Sequence, residues 1–223
     1  MIPILVLGDS HSRVFEYCNG KQDRFRFDVF VVDGATAQGA VNPNSQTNAL
    51  RIFRQKLKST NCAQYKYVIV NLGEVDCGFV IWYRKDKYNI SIEEQLEISA
   101  GNLMRFVLSD ISLYFSAGNI ILNGSVLPTI RDNTDKKYLC GARSKVTASQ
   151  KERTALTLRY NDALKEKSCA LGFHYMDITQ YIIDKQTQQI QDKYANKDEY
   201  DHHLDNEQTY GLWIRELRNI VSV

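Results

Sequence analysis

Short apolar runs alternate along the chain with longer segments of helical periodicity. Residues 4–7 (Ile-Leu-Val-Leu) break at Gly8 into Asp9-Ser10-His11-Ser12, and from Ser12 the apolar positions Val14, Phe15 and Cys18 fall at helical spacing. This pattern predicts a buried strand that enters a helix through a tight polar turn. Residues 25–33 alternate and then become continuously apolar, which predicts a second strand closed by the small-residue loop 34–39. A turn at 42–45 leads into a helix reaching about Lys58, with Ala49, Leu50, Phe53 and Leu57 on one face. Residues 67–72 (Tyr-Val-Ile-Val-Asn-Leu) predict a third strand apolar on both faces, ending at Gly73-Glu74-Val75-Asp76.

Residues 79–89 are aromatic and basic, with Trp82, Tyr83 and Tyr88, and read as a loop or lid at the same sheet edge. A long amphipathic helix is expected over about 91–116, and a fourth strand over 119–122. Residues 131–149 are polar, charged and irregular. A helix over 150–171 carries Leu156, Tyr160 and Leu164 toward the core. A fifth strand, 172–177, includes His174 as a core residue, and a helix from about Asn206 to Val221 closes the pattern. Five strands separated by helices imply a parallel sheet covered on both faces, a three-layer α/β/α sandwich. Chemistry in such folds lies beyond the carboxyl ends of the strands, near the switch in strand order. Ser10, Gly34, Glu74, Asp76 and Asn123 all follow predicted strands and so fall on one rim.

Length and composition narrow the picture. A chain of 223 residues fits a single α/β domain spanning 1–223. Its 28 basic and 26 acidic residues give a net charge of only +2, which makes no electrostatic case for a nucleic-acid partner. Cys18, Cys62, Cys77, Cys140 and Cys169 are odd in number and scattered, so neither a zinc site nor a disulfide framework is indicated. No signal segment precedes the first strand and no apolar run is long enough to span a membrane; a cytoplasmic protein is expected.

Gly8-Asp9-Ser10-His11 resembles the first block of the SGNH (GDSL-like) hydrolases, in the form where His replaces Leu. Later blocks follow in order. Gly34 lies in a post-strand glycine loop, and Gly73-Glu74-Val75-Asp76 stands where the family carries Gly-x-Asn-Asp. Residues 153–177, with Arg159-Tyr160-Asn161, Leu164, Gly172 and Asp177, are similar to the penultimate helix and strand. Asp201-His202-His203-Leu204 stands at the Asp-x-x-His block. The resemblance implies the flavodoxin-like sheet of that family, an ester hydrolase activity and no cofactor.

The chemistry needs a nucleophilic hydroxyl, a base and oxyanion donors. Ser10 supplies the first. Neighbouring residues of an extended segment point to opposite sides, so one of His202 and His203 can reach it. His203 is favoured because Leu204 follows it, as an apolar residue commonly follows the family's histidine. Family spacing would put the orienting acid at Tyr200 or Glu199; Asp201 is chosen, with Asp198 as the neighbouring alternative. The Ser10 and Gly34 N–H groups are the expected oxyanion donors. Val75 stands at the family's oxyanion Asn and has no donor, so Asn123 rather than Asn71 is expected to substitute and turnover of generic esters to be slow.

Glu74, Asp76, His11 and His202 complete the candidate oxyanion and substrate-binding set. Asp9, Glu74 and Asp76 are expected to hydrogen-bond neighbouring loops rather than hold a metal. The GDSH form implies an O-acyl, chiefly O-acetyl, carbohydrate ester as substrate, with Trp82, Tyr83 and Tyr88 offering stacking faces. An O-acyltransferase on the same triad and a non-catalytic glycan- or partner-binding protein are the alternatives.

Overall fold

The computed structural model describes residues 1–139 and 141–221; Cys140 lies outside the described residues. Five strands form a parallel sheet: β1 (Ile2–Gly8), β2 (Phe25–Val31), β3 (Tyr67–Asn71), β4 (Ile120–Asn123) and β5 (His174–Met176). Their order is β2-β1-β3-β4-β5, so the winding direction reverses between β1 and β3. The register pairs Gly8 with Val31 on one side and Asn71 on the other, which aligns the carboxyl ends of the three strands.

Alternation along each strand divides the core into two layers. Leu5, Leu7, Val68, Val70, Ile120 and Leu122 face α2 (Ala49–Ser59), α4 (Ile92–Phe106) and α5 (Gln150–Ala170), packing on Phe53, Phe106, Tyr160 and Leu164. Ile4, Val6, Ile69, Ile121 and Met176 face α1 (Arg13–Cys18) and α7 (Asn206–Val221), against Phe15, Trp213 and Leu217. A strand buried on both faces must be apolar throughout, and residues 4–7 are each 0% exposed. The expected three-layer α/β/α sandwich with a five-stranded parallel sheet is the architecture observed.

Three local expectations are corrected, and the unassigned segment after β5 acquires elements. Residues 79–89 are not a loop: a π-turn at Asp76–Val80 continues into α3 (Ile81–Tyr88). No glycine or proline interrupts 79–88, and Ile81 and Trp82 are buried, so tertiary packing holds the helix. Helix α2 starts later than the 42–45 turn implies, after Asn48 in a left-handed conformation at φ 51°. The polar stretch after β5 contains a short helix α6 (Thr179–Ile182) and a hairpin of β6 (Ile183–Asp184) and β7 (Gln189–Ile190). Asp184 Oδ1 accepts the Gln186 and Thr187 N–H groups in that hairpin's turn. His174 is half-buried rather than in the core, with Nε2 3.0 Å from the Gly118 carbonyl oxygen.

The irregular segment 131–149 carries 3₁₀ turns at Lys136–Tyr138 and Gly141–Lys145. It ends in a capping box, in which Ser149 and Glu152 satisfy each other's backbone N–H at the start of α5. Among the described residues, no helix is long and apolar enough to cross a membrane.

Candidate active site

The turn after β1 presents Ser10. Gly8 makes the turn possible: a Cβ there would lie 2.2 Å from Ser12 Oγ and 2.3 Å from the Asn71 carbonyl oxygen. Asp9 Oδ1 caps the turn by accepting the His11 N–H at 3.0 Å. Ser10 begins the 3₁₀ turn Ser10–Ser12, where its own N–H has no intrahelical acceptor and remains available to an anion.

Residues 195–205 bring the other partners to Ser10. Leu204 is buried and bridges Ala195, while Asp205 N–H donates to Tyr194 O at 2.9 Å, so the end of this loop is fixed to the core. Within it, Asp198 and Asp201 each accept a backbone N–H two residues on, from Tyr200 and His203. Such Asx turns curl the chain tightly. That curl lets an acid only two residues before His203 meet the imidazole: His203 Nδ1 lies 2.6 Å from Asp201 Oδ1. His203 Nε2 lies 2.8 Å from Ser10 Oγ. With Asp201 able only to accept, Nδ1 carries the proton and Nε2 accepts from the Ser10 hydroxyl. Asn196 Nδ2 donates to Asp201 Oδ2 at 2.9 Å and holds the carboxylate from its other side.

Electrostatics suits a neutral imidazole. Burial is the largest influence on His203, followed by the charge of His11; together they outweigh Asp201 and set its pKa below the ordinary 6.5. Burial alone would raise the Asp201 carboxyl, but the His203 backbone and ring contacts hold it below its usual range.

His202 does not reach Ser10. Its ring lies 4.0 Å from that of His203 and 5.1 Å from that of His11, with Phe79 at 6.2 Å. Burial pushes it down to about 3, so it packs as a neutral ring. His11 instead faces Glu74, with Nε2 2.9 Å from Oε2. This is an ion-pair contact whose direction falls outside hydrogen-bond geometry. Burial disfavours charge on both groups, but each partner's charge prevails: His11 is raised, and Glu74 is held at about 2.

Removing one member of a buried pair strands the other charge. His11→Ala is expected to lower stability by about 3–5 kcal/mol, and Glu74→Gln on that background to recover most of the loss. Urea denaturation of the single and double variants checks this. A loss below about 1 kcal/mol for His11→Ala would show that the pair is not coupled in this way.

Two candidates leave the reacting space. Asp76 is fully buried and accepts the Ala37 N–H (2.6 Å), the Gln38 N–H (3.0 Å) and the Ser99 hydroxyl (3.2 Å). It anchors the loop after β2 rather than touching a substrate. Asn123 donates to Asn71 Oδ1 at 2.9 Å, and Asn71 donates to Ser12 Oγ at 3.1 Å. The expectation that Asn123 replaces the missing donor at Val75 is therefore corrected. Its position at the end of β4, level with Asn71, directs its amide across the sheet instead. Gly34 is exposed at φ +70°, in a turn closed by Ala35 N–H to Val32 O at 3.0 Å.

A cavity of about 410 Å³ opens beside Ser10 and His203. Its walls mix charged and amide side chains, among them Arg13, Asn196, Lys197 and Glu207, with apolar ones, among them Val14, Tyr17 and Trp213. Arg13 is held by a two-point ion pair with Asp33, at 2.7 and 3.1 Å. Sequence reasoning missed these wall residues: Asn196 and Lys197 belong to a polar stretch before the last helix, and Arg13 directly follows the stretch Asp9-Ser10-His11-Ser12. Trp82, Tyr83 and Tyr88 do not line this cavity, and Trp82 donates its indole N–H to the Cys77 carbonyl oxygen at 2.8 Å inside the core.

His11, His202 and His203 offer ring nitrogens within 4.8 Å of one another, close enough for a transition metal by reach alone. Both nitrogens of His203 already face Asp201 and Ser10. His11 Nε2 faces Glu74. Asp9 and Asp76 are turned to backbone N–H groups and do not converge with Glu74 on an ion.

No family model and no curated protein matches the chain. Solved structures do match in three dimensions. A GDSL-like lipase from Bacteroides thetaiotaomicron superposes with a TM-score of 0.58 at 12% identity, over 99% of this chain and 87% of that one. The aryl esterase of M. smegmatis gives 0.59 at 12%, over 100% and 99%. A variant of an acetyl-xylooligosaccharide esterase from Geobacillus stearmophilus gives 0.56 at 14%, over 100% and 94%. At such identities the likeness is one of fold, and the chain has the fold of the GDSL-like lipases and esterases.

Proposed function

We propose that the protein is a serine ester hydrolase of the SGNH (GDSL-like) type. The observation that carries this reading is the hydrogen-bonded line from Ser10 Oγ through His203 to Asp201, at 2.8 and 2.6 Å. Ser10 Oγ attacks the acyl carbon as His203 Nε2 takes its proton, and Asp201 holds the imidazolium that forms. In this reading the Ser10 N–H, free of an intrahelical acceptor, donates to the developing oxyanion, with the Gly34 N–H as the second donor that the family resemblance implies. Collapse of the tetrahedral intermediate expels the alcohol, which receives the proton from His203 and leaves an acyl-Ser10 ester. Water, deprotonated by the same imidazole, then releases the acid and restores Ser10.

The substrate we infer is an O-acyl, chiefly O-acetyl, ester of a carbohydrate. The charged and amide side chains of the cavity wall offer partners for the hydroxyls of a carbohydrate, and Tyr17 and Trp213 in the same wall offer an apolar face. The side chain of Val75 adds no oxyanion donor, and one such donor is worth roughly 10²–10³ in kcat. Slow turnover of nitrophenyl acetate is therefore expected beside faster deacetylation of acetylated sugars. Labelling by a fluorophosphonate probe tests the reading directly: folded protein that stays unlabelled at Ser10 would replace it with a binding role.

The pH profile follows from His203. The imidazole must be neutral to accept the proton, and its pKa lies below 6.5. Measured kcat/KM should be level near neutral pH and fall as pH drops through a midpoint below 6.5. A midpoint at or above that value would show that Asp201 rather than burial governs the imidazole, and a profile with no acid limb would remove His203 as the base.

A further inference from the structure

A second cavity, about 260 Å³, lies beneath residues 130–149 and shares no wall residue with the Ser10 cavity. Its walls include Thr134, Lys136, Arg143 and Arg153, with Asp132 as the carboxylate among them. The charge balance is uneven. Arg153 is only 4% exposed. Its Nη2 donates to the Ile130 carbonyl oxygen at 2.5 Å, while the Asp132 carboxylate stands 3.9 Å away and already accepts the Gln150 N–H. A guanidinium buried to this degree is costly unless a counter-charge meets it.

Three donors in the same wall are buried without a hydrogen-bond partner: Arg153 Nε, Arg143 Nε and Thr134 Oγ1, the last on a side chain 5% exposed. The Arg143 guanidinium carbon lies over the Phe79 ring, 4.3 Å from its centroid. An aromatic ring attracts the cation but supplies no hydrogen-bond acceptor in the ring plane, and Arg143 Nε is left without one. Lys136 Nζ is drawn in to the Val146 carbonyl oxygen at 2.7 Å. The first turn of helix α5 starts at this wall, but its Gln150 and Glu152 N–H groups are already met by Asp132 and by the Ser149–Glu152 capping box, so side-chain donors must supply the attraction. Glu74 acts electrostatically on both arginines, but it is paired with His11.

We propose that this cavity is a binding site for a small oxyanion, a phosphate, sulfate or carboxylate group, held by Arg143, Arg153 and Thr134. The buried, under-compensated Arg153 and the three unpartnered donors call for an acceptor that carries negative charge. The site does not depend on the esterase reading. The same group can come as a free inorganic anion or as an acidic substituent of a larger ligand.

Calorimetric titration of the whole chain with inorganic phosphate tests the site, with thermal melts at matched ionic strength as a second readout. One saturable site is expected, with a rise in Tm. Arg143→Gln and Thr134→Val should weaken binding, the former by roughly tenfold or more. Arg143 is only partly buried, so its variant is expected to fold and to keep its phosphate-free Tm. The Thr134 variant removes a hydroxyl that has no partner in the fold. Absence of saturable heat and of a Tm rise at high millimolar phosphate would overturn the proposal, as would unchanged binding in both variants. Where binding holds, inhibition assays separate the sources. Phosphate competing only with acid-bearing esters marks a substituent subsite, and equal effects on neutral and acidic esters mark a free-anion site.

Discussion

Ser10→Ala is expected to lower kcat on an acetyl ester by about 10⁶, the scale on which loss of a triad serine acts. For a slow enzyme that means background. The hydroxyl is the group that bonds to the acyl carbon, and no other side-chain hydroxyl is hydrogen-bonded to His203 among the described residues. Ser10 lines a cavity and its Oγ makes one hydrogen bond to a half-buried ring, so stability should move by no more than about 1 kcal/mol. Activity of the purified variant on acetylated sugar, beside its melting curve, checks both halves. Turnover clearly above background in folded Ser10→Ala would remove it as nucleophile.

The adjacent histidines provide the second large contrast. His203→Ala should cost about as much as loss of the serine, since nucleophile and base act as one unit. His202→Ala should cost less than about tenfold, because its ring packs between His11, His203 and Phe79 and reaches neither Ser10 nor Asp201. The measurement is kcat/KM for each variant under one set of conditions. Comparable losses would mean that His202 acts on the reaction through more than packing.

The sheet was legible because strands buried on both faces must be apolar, and the runs at 4–7, 67–72 and 119–122 are too short for a helix and rich in β-branched residues. The rim positions of Ser10 and Asn123 followed from strand ends. What they face did not. Asn123 bends to Asn71 because the β3–β4 register sets the two side by side, and register is a tertiary fact. The acid at Asp201 was readable only as one of several carboxylates; the Asx turns that curl 198–203 set which one meets the imidazole. Helix α3 was missed because its aromatic and basic residues mask a short buried face at Ile81 and Trp82. The second cavity had no local signal: Arg143 and Arg153 sit ten positions apart and are joined by the fold of an irregular segment.

Ser10 and His203 are separated by 193 positions, yet meet at 2.8 Å. Closing so long a loop is entropically unfavourable until much of the sheet exists. During refolding, secondary structure should therefore return before the hydroxyl and imidazole meet. Fluorophosphonate reactivity of Ser10 would then be a clock for the last stage of assembly. Circular dichroism recovers early in such a sequence of events, and reactivity appears only when the 195–205 loop docks through Leu204.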